Sequence, residues 1–290
     1  MPIYNLGSIN ADLFYRVPHL PLPGETLTAS DLTTGLGGKG ANMSVAAARA
    51  GAQLRHIGAV GPDGRWAVDR LMEYGVDTRH IAILDVPTGQ AVIMVDDAGE
   101  NSIILLSGAN GQISKDAIRA ALSEASVGDT LLLQNETNGQ AFAAQMGKEL
   151  GLRVAYAAAP FDADAVQAVL PYLDFLILNA VEAAQLGEAM GLAPQDLPIR
   201  HVVVTKGSDG AVFHDNQAKT SRSFPALPTK VVDTTGAGDT FTGYILAALD
   251  RGLPIPQAMQ LASRAAALMV SRHGTADVIP DLKEVQDARF

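Results

Sequence analysis

The chain has 290 residues, 48% hydrophobic and 18% charged, with a formal net charge of -10. That length fits one large α/β domain or two small ones and can close a full core without covalent staples. The absence of cysteine excludes disulfides, thiolate metal sites and a cysteine nucleophile, and the acidic balance excludes a general nucleic-acid or anionic-membrane binder, which needs clustered Lys and Arg.

The N-terminal residues MPIYNLGSINADLF have no basic stretch leading into an apolar core, so no signal peptide is expected and the cytoplasm is the expected compartment. No window of about 18 apolar residues predicts a membrane span. From there short β-rich runs alternate with Ala-rich helical stretches. Strands are predicted at Ile3–Gly7, Leu54–Val60, Thr130–Gln134, Arg153–Tyr156, Phe175–Leu178 and His201–Thr205, and helices near 40–51, 63–74, 114–125, 138–150, 163–170 and 180–187. Several strands are continuous apolar runs, as in a parallel sheet covered on both faces. Ser114 reads as the N-cap of its helix. This rhythm predicts an α/β fold, a three-layer αβα sandwich with a mostly parallel central sheet.

Two segments interrupt it. Residues 11–35 hold three prolines and no helical period, and residues 89–107 read as strand, turn and strand, Gln90–Val95 and Ser102–Leu106 around Asp96-Asp97-Ala98-Gly99. The second is either a flap over a site or a hairpin that extends the sheet.

The first glycine cluster, Gly35-Leu36-Gly37-Gly38-Lys39-Gly40-Ala41-Asn42, contains Gly-x-Gly-x-x-Gly, but a long Pro-rich stretch separates it from the first strand, unlike a dinucleotide fingerprint. Lys39 is followed by glycine rather than Ser or Thr, which removes the P-loop. What remains is either a structural turn or a Cβ-free backbone open to close approach, flanked by Lys39 and Asn42. The histidines are scattered without metal-ligand spacing, and no Gly-x-Ser-x-Gly elbow occurs.

The second cluster, Asp233-Thr234-Thr235-Gly236-Ala237-Gly238-Asp239-Thr240-Phe241, opens a helix whose apolar residues Phe241, Tyr244, Ile245, Ala248 and Leu249 keep helical spacing, closed by Gly252 and Pro254. Unpaired N–H groups at such a start form an anion site. Asp239 is either a dipole-stabilising carboxylate or the proton acceptor of a phosphate site. Pro256 opens the next helix, apolar nearly all round to Val270.

These residues carry a resemblance. GGKGAN at 37–42 and DTTGAGDTF at 233–241, with Asn10-Ala11-Asp12, Gly108-Ala109-Asn110, Asn179-Ala180-Val181-Glu182, Lys206-Gly207-Ser208-Asp209-Gly210 and the loop at Gly274, appear in the order found in the ribokinase family of carbohydrate kinases. The resemblance runs nearly end to end and implies a single ribokinase-like domain over 1–290, with a small β lid from about 11–35 and 89–107 that also pairs subunits into a homodimer.

It further implies transfer of the γ-phosphoryl group of ATP to a primary sugar hydroxyl. Asp239 is similar to the base, and the N–H groups of Gly236, Ala237 and Gly238 to those holding the phosphoryl oxygens. Asn10, Asp12, Gly38, Lys39, Asn42 and Glu136 match sugar-holding positions. Asn179, Glu182, Thr205, Gly207, Gly210 and Gly238 match the nucleotide side, with Mg²⁺ reached through water. A loose phosphoryl-transfer transition state needs positioning and charge stabilisation more than a strong base, in keeping with this division. Asn179 and Glu182 also read as a capping box, and Glu136 as a solvated loop carboxylate. A carboxylate such as Asp12 can grip a vicinal diol. The matched sugar positions favour D-ribose, giving ribose 5-phosphate, over fructose, a keto-deoxy sugar acid or a nucleoside; a silent sugar- or nucleotide-sensing protein is the alternative outside enzymes. The family's K⁺ site would fall on Asp233, Thr235, Arg272 and Gly274. Val278, where a serine is common, argues against strong cation activation, and the short stretch Gly187–Arg200 leaves out a peripheral helix.

Overall fold

A computed structural model covers residues 1–290. In chain order the elements are β1 (Ile3–Leu6), β2 (Asn10–Arg16), β3 (Asp31–Gly37), α1 (Lys39–Arg49), β4 (Leu54–Val60), α2 (Arg65–Glu73), β5 (Asp77–Ile83), β6 (Gly89–Val95), β7 (Asn101–Leu106), α3 (Lys115–Leu122) and β8 (Thr130–Leu133). There follow α4 (Gln140–Glu149), β9 (Arg153–Ala157), α5 (Ala163–Val169), β10 (Phe175–Asn179), α6 (Ala180–Met190), β11 (His201–Thr205), β12 (Ala211–Asp215), β13 (Thr220–Phe224), α7 (Ala237–Asp250), α8 (Ile255–Met269) and α9 (Leu282–Asp287).

A nine-stranded sheet runs β13-β12-β11-β10-β9-β8-β1-β4-β5. It is parallel from β11 to β5, and β12 and β13 close one edge as antiparallel strands. Every residue of β1 and β8 is buried, the reason these runs read as continuously apolar. One face is covered by α1, α7 and α8 through Met43, Val45, Tyr244, Ile245 and Met259. The other is covered by α3, α5 and α6 through Ile118, Leu122, Val166 and Leu186. The predicted three-layer α/β sandwich is therefore the observed architecture. The Ser114 hydroxyl accepts the Ala117 amide at 3.1 Å, the expected cap of α3. No helix is long and apolar enough to cross a membrane.

The predicted central strands and helices fall within a few residues of the observed ones. The expected hairpin is β6 and β7, paired Gln90 to Leu106 and turned at Asp96, whose carboxylate accepts the Ala98 and Glu100 amides at 2.9 Å. Residues 11–35 hold more than was read from them: β2 and β3 pair antiparallel from Asn10–Gly37 to Arg16–Asp31, and β2 lies parallel to β6. The resulting four-stranded sheet, β3-β2-β6-β7, stands over the carboxyl ends of the main sheet. Strands β5, β12 and β13 were not predicted. They lie at the sheet edges with mixed burial, where neither continuous apolarity nor clean alternation marks a strand. Between α6 and β11 the chain makes one 3₁₀ turn, Pro194–Asp196.

Candidate active site

From β1 the chain steps to β4 on one side and later to β8 on the other, so the strand order reverses between β1 and β8. Beyond the carboxyl ends of strands at such a reversal lies a crevice that open α/β sheets use for ligands. Ser8, Asn10 and Asp12 leave β1 into it, and Glu136 follows β8.

Helix α1 begins at the same place with no side-chain cap of its own. Its first amides are met from elsewhere: Lys39 N–H donates to Glu136 Oε2 at 2.9 Å, Gly40 N–H to Ser8 Oγ at 3.1 Å, and Ala41 N–H to the Ser8 carbonyl at 2.8 Å. The Ser8 hydroxyl donates to the same Glu136 oxygen at 2.6 Å. Glu136 is thus neither a freely solvated carboxylate nor a free ligand. One oxygen fastens the helix, and Oε1 is left for a partner.

The glycines of the first cluster make this crossing possible. A Cβ on Gly40 would lie 2.4 Å from the Gly7 Cα, and one on Gly37 would lie 1.9 Å from Asp12 Oδ2. What approaches this backbone closely is the protein's own β1–β2 turn and the Asp12 side chain.

Asp12 is only 5% exposed. Burial, then the charges of Glu136 and Asp239, push its carboxyl up to about 7. Asn10, also buried, accepts from Asn110 Nδ2 at 2.8 Å through Oδ1, while Asn110 exchanges bonds with the Ile9 backbone. Sequence reasoning gave neither Ser8 nor Asn110 a role in the site. Asn110 was visible only as the end of the Gly-Ala-Asn motif, and Ser8 only as the residue before Ile9-Asn10.

On the opposite wall α7 starts at Gly236, whose φ of +72° places it in the left-handed region. Ala237 N–H turns back to Thr234 O at 3.3 Å and Thr240 N–H to Gly236 O at 2.8 Å, while the Gly238 and Asp239 amides have no partner in the chain. Of the three amides expected to face an anion, that of Ala237 is engaged by the turn, while those of Gly236 and Gly238 are free, as is that of Asp239. A Cβ on Gly238 would meet nothing within 4 Å. Asp239, 6% exposed, accepts from Asn42 Nδ2 at 2.9 Å through Oδ2. Asn42 Oδ1 is buried without any partner, an acceptor awaiting a donor. The Lys39 ammonium is held above its ordinary pKa, first by Asp239 against the opposing effect of burial, then by Glu136 and Glu182.

Strands β10 and β11 end side by side, with Asn179 opposite Thr205. Asn179 Oδ1 accepts the Glu182 amide at 2.9 Å and Glu182 Oε2 accepts the Asn179 amide at 2.7 Å, so the capping box is present. Burial raises the Glu182 carboxyl, opposed by the Asn179 amide and Lys39. Gly207 and Gly210 form the turn after β11, closed by Lys206 N–H on Gly210 O at 2.7 Å.

Asp233 accepts from Thr235 N–H at 2.9 Å and Gly274 N–H at 3.4 Å. Partial burial opposes ionisation there, and these amides with His273 outweigh it and lower the pKa. The Arg272 guanidinium is engaged by Val278 O at 3.0 Å and Glu284 at 2.7 Å, which leaves its carbonyl as the group it could offer a cation.

The family described as pfkB family carbohydrate kinase matches residues 3–282. The chain belongs to that family. This kinase is 37% identical over 294 residues to the ribokinase of Haemophilus influenzae, across 96% of this chain and 95% of that protein. Among solved structures it resembles the ribokinase of Cryptococcus neoformans var. grubii in complex with ADP, with a TM-score of 0.84, 31% identity and coverage of 99% and 98%. It likewise resembles the ribokinase of Arabidopsis thaliana complexed with ribose and ATP, with a TM-score of 0.86, 29% identity and coverage of 98% and 97%. The kinase is accordingly an enzyme, a phosphotransferase that acts on carbohydrate.

Proposed function

We propose that this kinase transfers the γ-phosphoryl group of ATP to the primary hydroxyl of D-ribose, giving ribose 5-phosphate and ADP, with Asp239 as the base. The observation that carries the reading is the bond from Asn42 to Asp239 at the open start of α7, in an enclosure where Asp239 and Glu136 both act on the Asp12 carboxyl. The relatives named ribokinase, one of them solved with ribose and ATP, support both substrates.

In this reading Asp12 accepts two sugar hydroxyls, Asn42 Oδ1 takes a third donor, and Glu136 offers Oε1 while Ser8 and the α1 amide steady Oε2. Asp239 takes the proton of the primary hydroxyl as that oxygen bonds to the γ-phosphorus. The bond from phosphorus to the bridging oxygen breaks, ADP departs, and the proton later leaves Asp239 for solvent. The Gly236, Gly238 and Asp239 amides and the Lys39 ammonium stabilise charge on the transferring group.

Mg²⁺ bound with ATP would neutralise phosphate charge. Glu182 suits holding it through water, because the capping box occupies only Oε2. Thr205, Gly207 and Gly210 would line the nucleotide beside it. A K⁺ seat at Asp233, Thr235, Arg272 and Gly274 fits less well: the Asp233 carboxylate already serves two amides, and the Val278 methyls pack toward Gly274. We expect K⁺ to alter the rate little.

The sheet β3-β2-β6-β7 would be the lid of a single ribokinase-like domain and the contact of a homodimer. Its edge strand β7 exposes Ile103, Ile104, Leu105 and Leu106 in succession, so both of its faces are apolar and uncovered. As a sugar kinase that uses ATP, it would act in the cytoplasm.

ADP release measured over a panel of sugars and nucleosides tests the assignment. Ribose is expected to give the highest kcat/KM; a higher value with fructose, a keto-deoxy sugar acid or a nucleoside would replace it as substrate.

A further inference from the structure

The loop after α8 does something that neither the sugar residues nor the phosphoryl cradle account for. Thr275 is 5% exposed, and its hydroxyl donates to the Leu36 carbonyl at 2.7 Å. Leu36 belongs to β3, opposite Ala11, one residue before the Gly37 on which the Asp12 carboxylate rests. The residue before Thr275, Gly274, donates its amide to Asp233 Oδ2, and Asp233 Oδ1 receives the Thr235 amide at the entry to the α7 cradle.

A continuous path of hydrogen bonds and covalent chain therefore joins the floor of the sugar side to the phosphoryl side: Leu36, Thr275, Gly274, Asp233, Thr235, Gly236. The loop is also anchored from behind. Arg49 of α1 donates to the Ile279 carbonyl, Arg272 donates to the Val278 carbonyl at 3.0 Å, and Tyr74, just past the end of α2, donates to the Asp277 carboxylate. A loop held on that side passes displacement of β3 toward Asp233 rather than absorbing it.

We propose that Thr275 is a positioning residue that couples the two substrates: sugar seated on Asp12 sets β3, and through Thr275 sets the Asp233 segment and the amides that receive the phosphates. The inference rests on the sugar and phosphoryl sites proposed above. Coupling of this kind is reciprocal, so ribose must tighten ADP by the same factor as ADP tightens ribose.

The test is calorimetric titration of ADP with Mg²⁺, in the absence and presence of saturating ribose, on the unaltered protein, Thr275→Val and Thr275→Ser. Valine keeps the shape and removes the donor; serine keeps the donor. The unaltered protein and Thr275→Ser are expected to show ribose tightening ADP by about fivefold or more, the lower end of ordinary coupling factors. Thr275→Val is expected to bring that factor close to one while each ligand alone binds with nearly unchanged affinity. A purely structural threonine would lower Tm in Thr275→Val and leave the factor intact, and that result overturns the proposal. So does the absence of coupling in the unaltered protein.

Failure of ribose or ADP to bind at all would instead strike the proposed function. Hydrogen exchange on the unaltered protein gives an arm that depends on no variant. Ribose alone is expected to slow exchange of the Thr235 and Gly274 amides, and unchanged exchange with ribose bound overturns the coupling.

Discussion

Asp12→Asn separates what the sugar site costs the fold from what it does for the ligand. A carboxyl raised from its ordinary 3.8 to about 7 binds its proton more tightly folded than unfolded. The folded state is therefore favoured fully at low pH and loses stability as pH rises from 3.8 to about 7, levelling off above that. At about 1.4 kcal/mol per pH unit, the whole interval is worth about 4 kcal/mol, and the part between pH 5 and pH 8 about 3 kcal/mol. Asparagine has the same outline and no charge to bury, so the variant escapes this loss. With the unfolding entropy usual for a chain of this size, its Tm advantage over the unaltered, ligand-free protein should be about 5 °C larger at pH 8 than at pH 5. An advantage independent of pH would refute the burial argument. The same titration governs binding in the opposite sense. If the ionised carboxylate grips the sugar, about one molecule in ten is competent at pH 6, so ribose KM in the unaltered protein should rise about tenfold from pH 8 to pH 6. In Asp12→Asn, KM should be high throughout and lack that dependence.

Asp239→Asn should lower kcat by about 100-fold or more, the usual worth of a positioned base, with calorimetric ADP binding and Tm nearly unchanged; near-normal turnover would remove Asp239 as the base. Gly37→Ala places a methyl 1.9 Å from Asp12 Oδ2 and must displace that carboxylate, so ribose KM should rise while ADP affinity is retained. Ser8→Ala leaves the Gly40 amide without its acceptor, which should cost about 1–3 kcal/mol in chemical denaturation and raise ribose KM through a loosened Glu136. Ile104→Lys puts a charge on the β7 edge; if β7 pairs two subunits, sedimentation should show monomer where the unaltered protein is a dimer, and a dimer in both would place the contact elsewhere.

How much of this was legible in the sequence follows from where the information lies. Strands β1, β4, β8, β9, β10 and β11 are covered on both sides, and their apolar runs announce them nearly to the residue. Strands β2 and β3 were hidden by their composition. The buried positions at the start of β2 include Asn10 and Asp12, and β3 carries Thr33, Thr34, Gly35 and Gly37, so the apolar alternation that marks a half-buried strand is absent. The start of α1 was similarly silent. Its caps come from Ser8 and from Glu136, 97 residues away from Lys39, and no local pattern records a cap that distant.

The two glycine clusters looked alike in sequence and serve opposite ends. At Gly236–Gly238 the space beside the backbone is largely open and adjoining amides are unpaired, which is the condition for receiving an anion in an acidic protein that has no basic patch to offer. At Gly37–Gly40 the space is already filled, by Asp12 on one glycine and by Gly7 and Ser8 on the other. A side chain is missing in both places, but only in the first is the room left for something else. In the second it lets three chain segments converge, and their convergence buries Asp12 near Glu136, whose charge adds to burial in raising the Asp12 carboxyl. The raised Asp12 carboxyl follows first from its burial against Gly37 and then from the charges of Glu136 and Asp239. A larger residue at either position would uncover Asp12 only by taking apart the site that buries it.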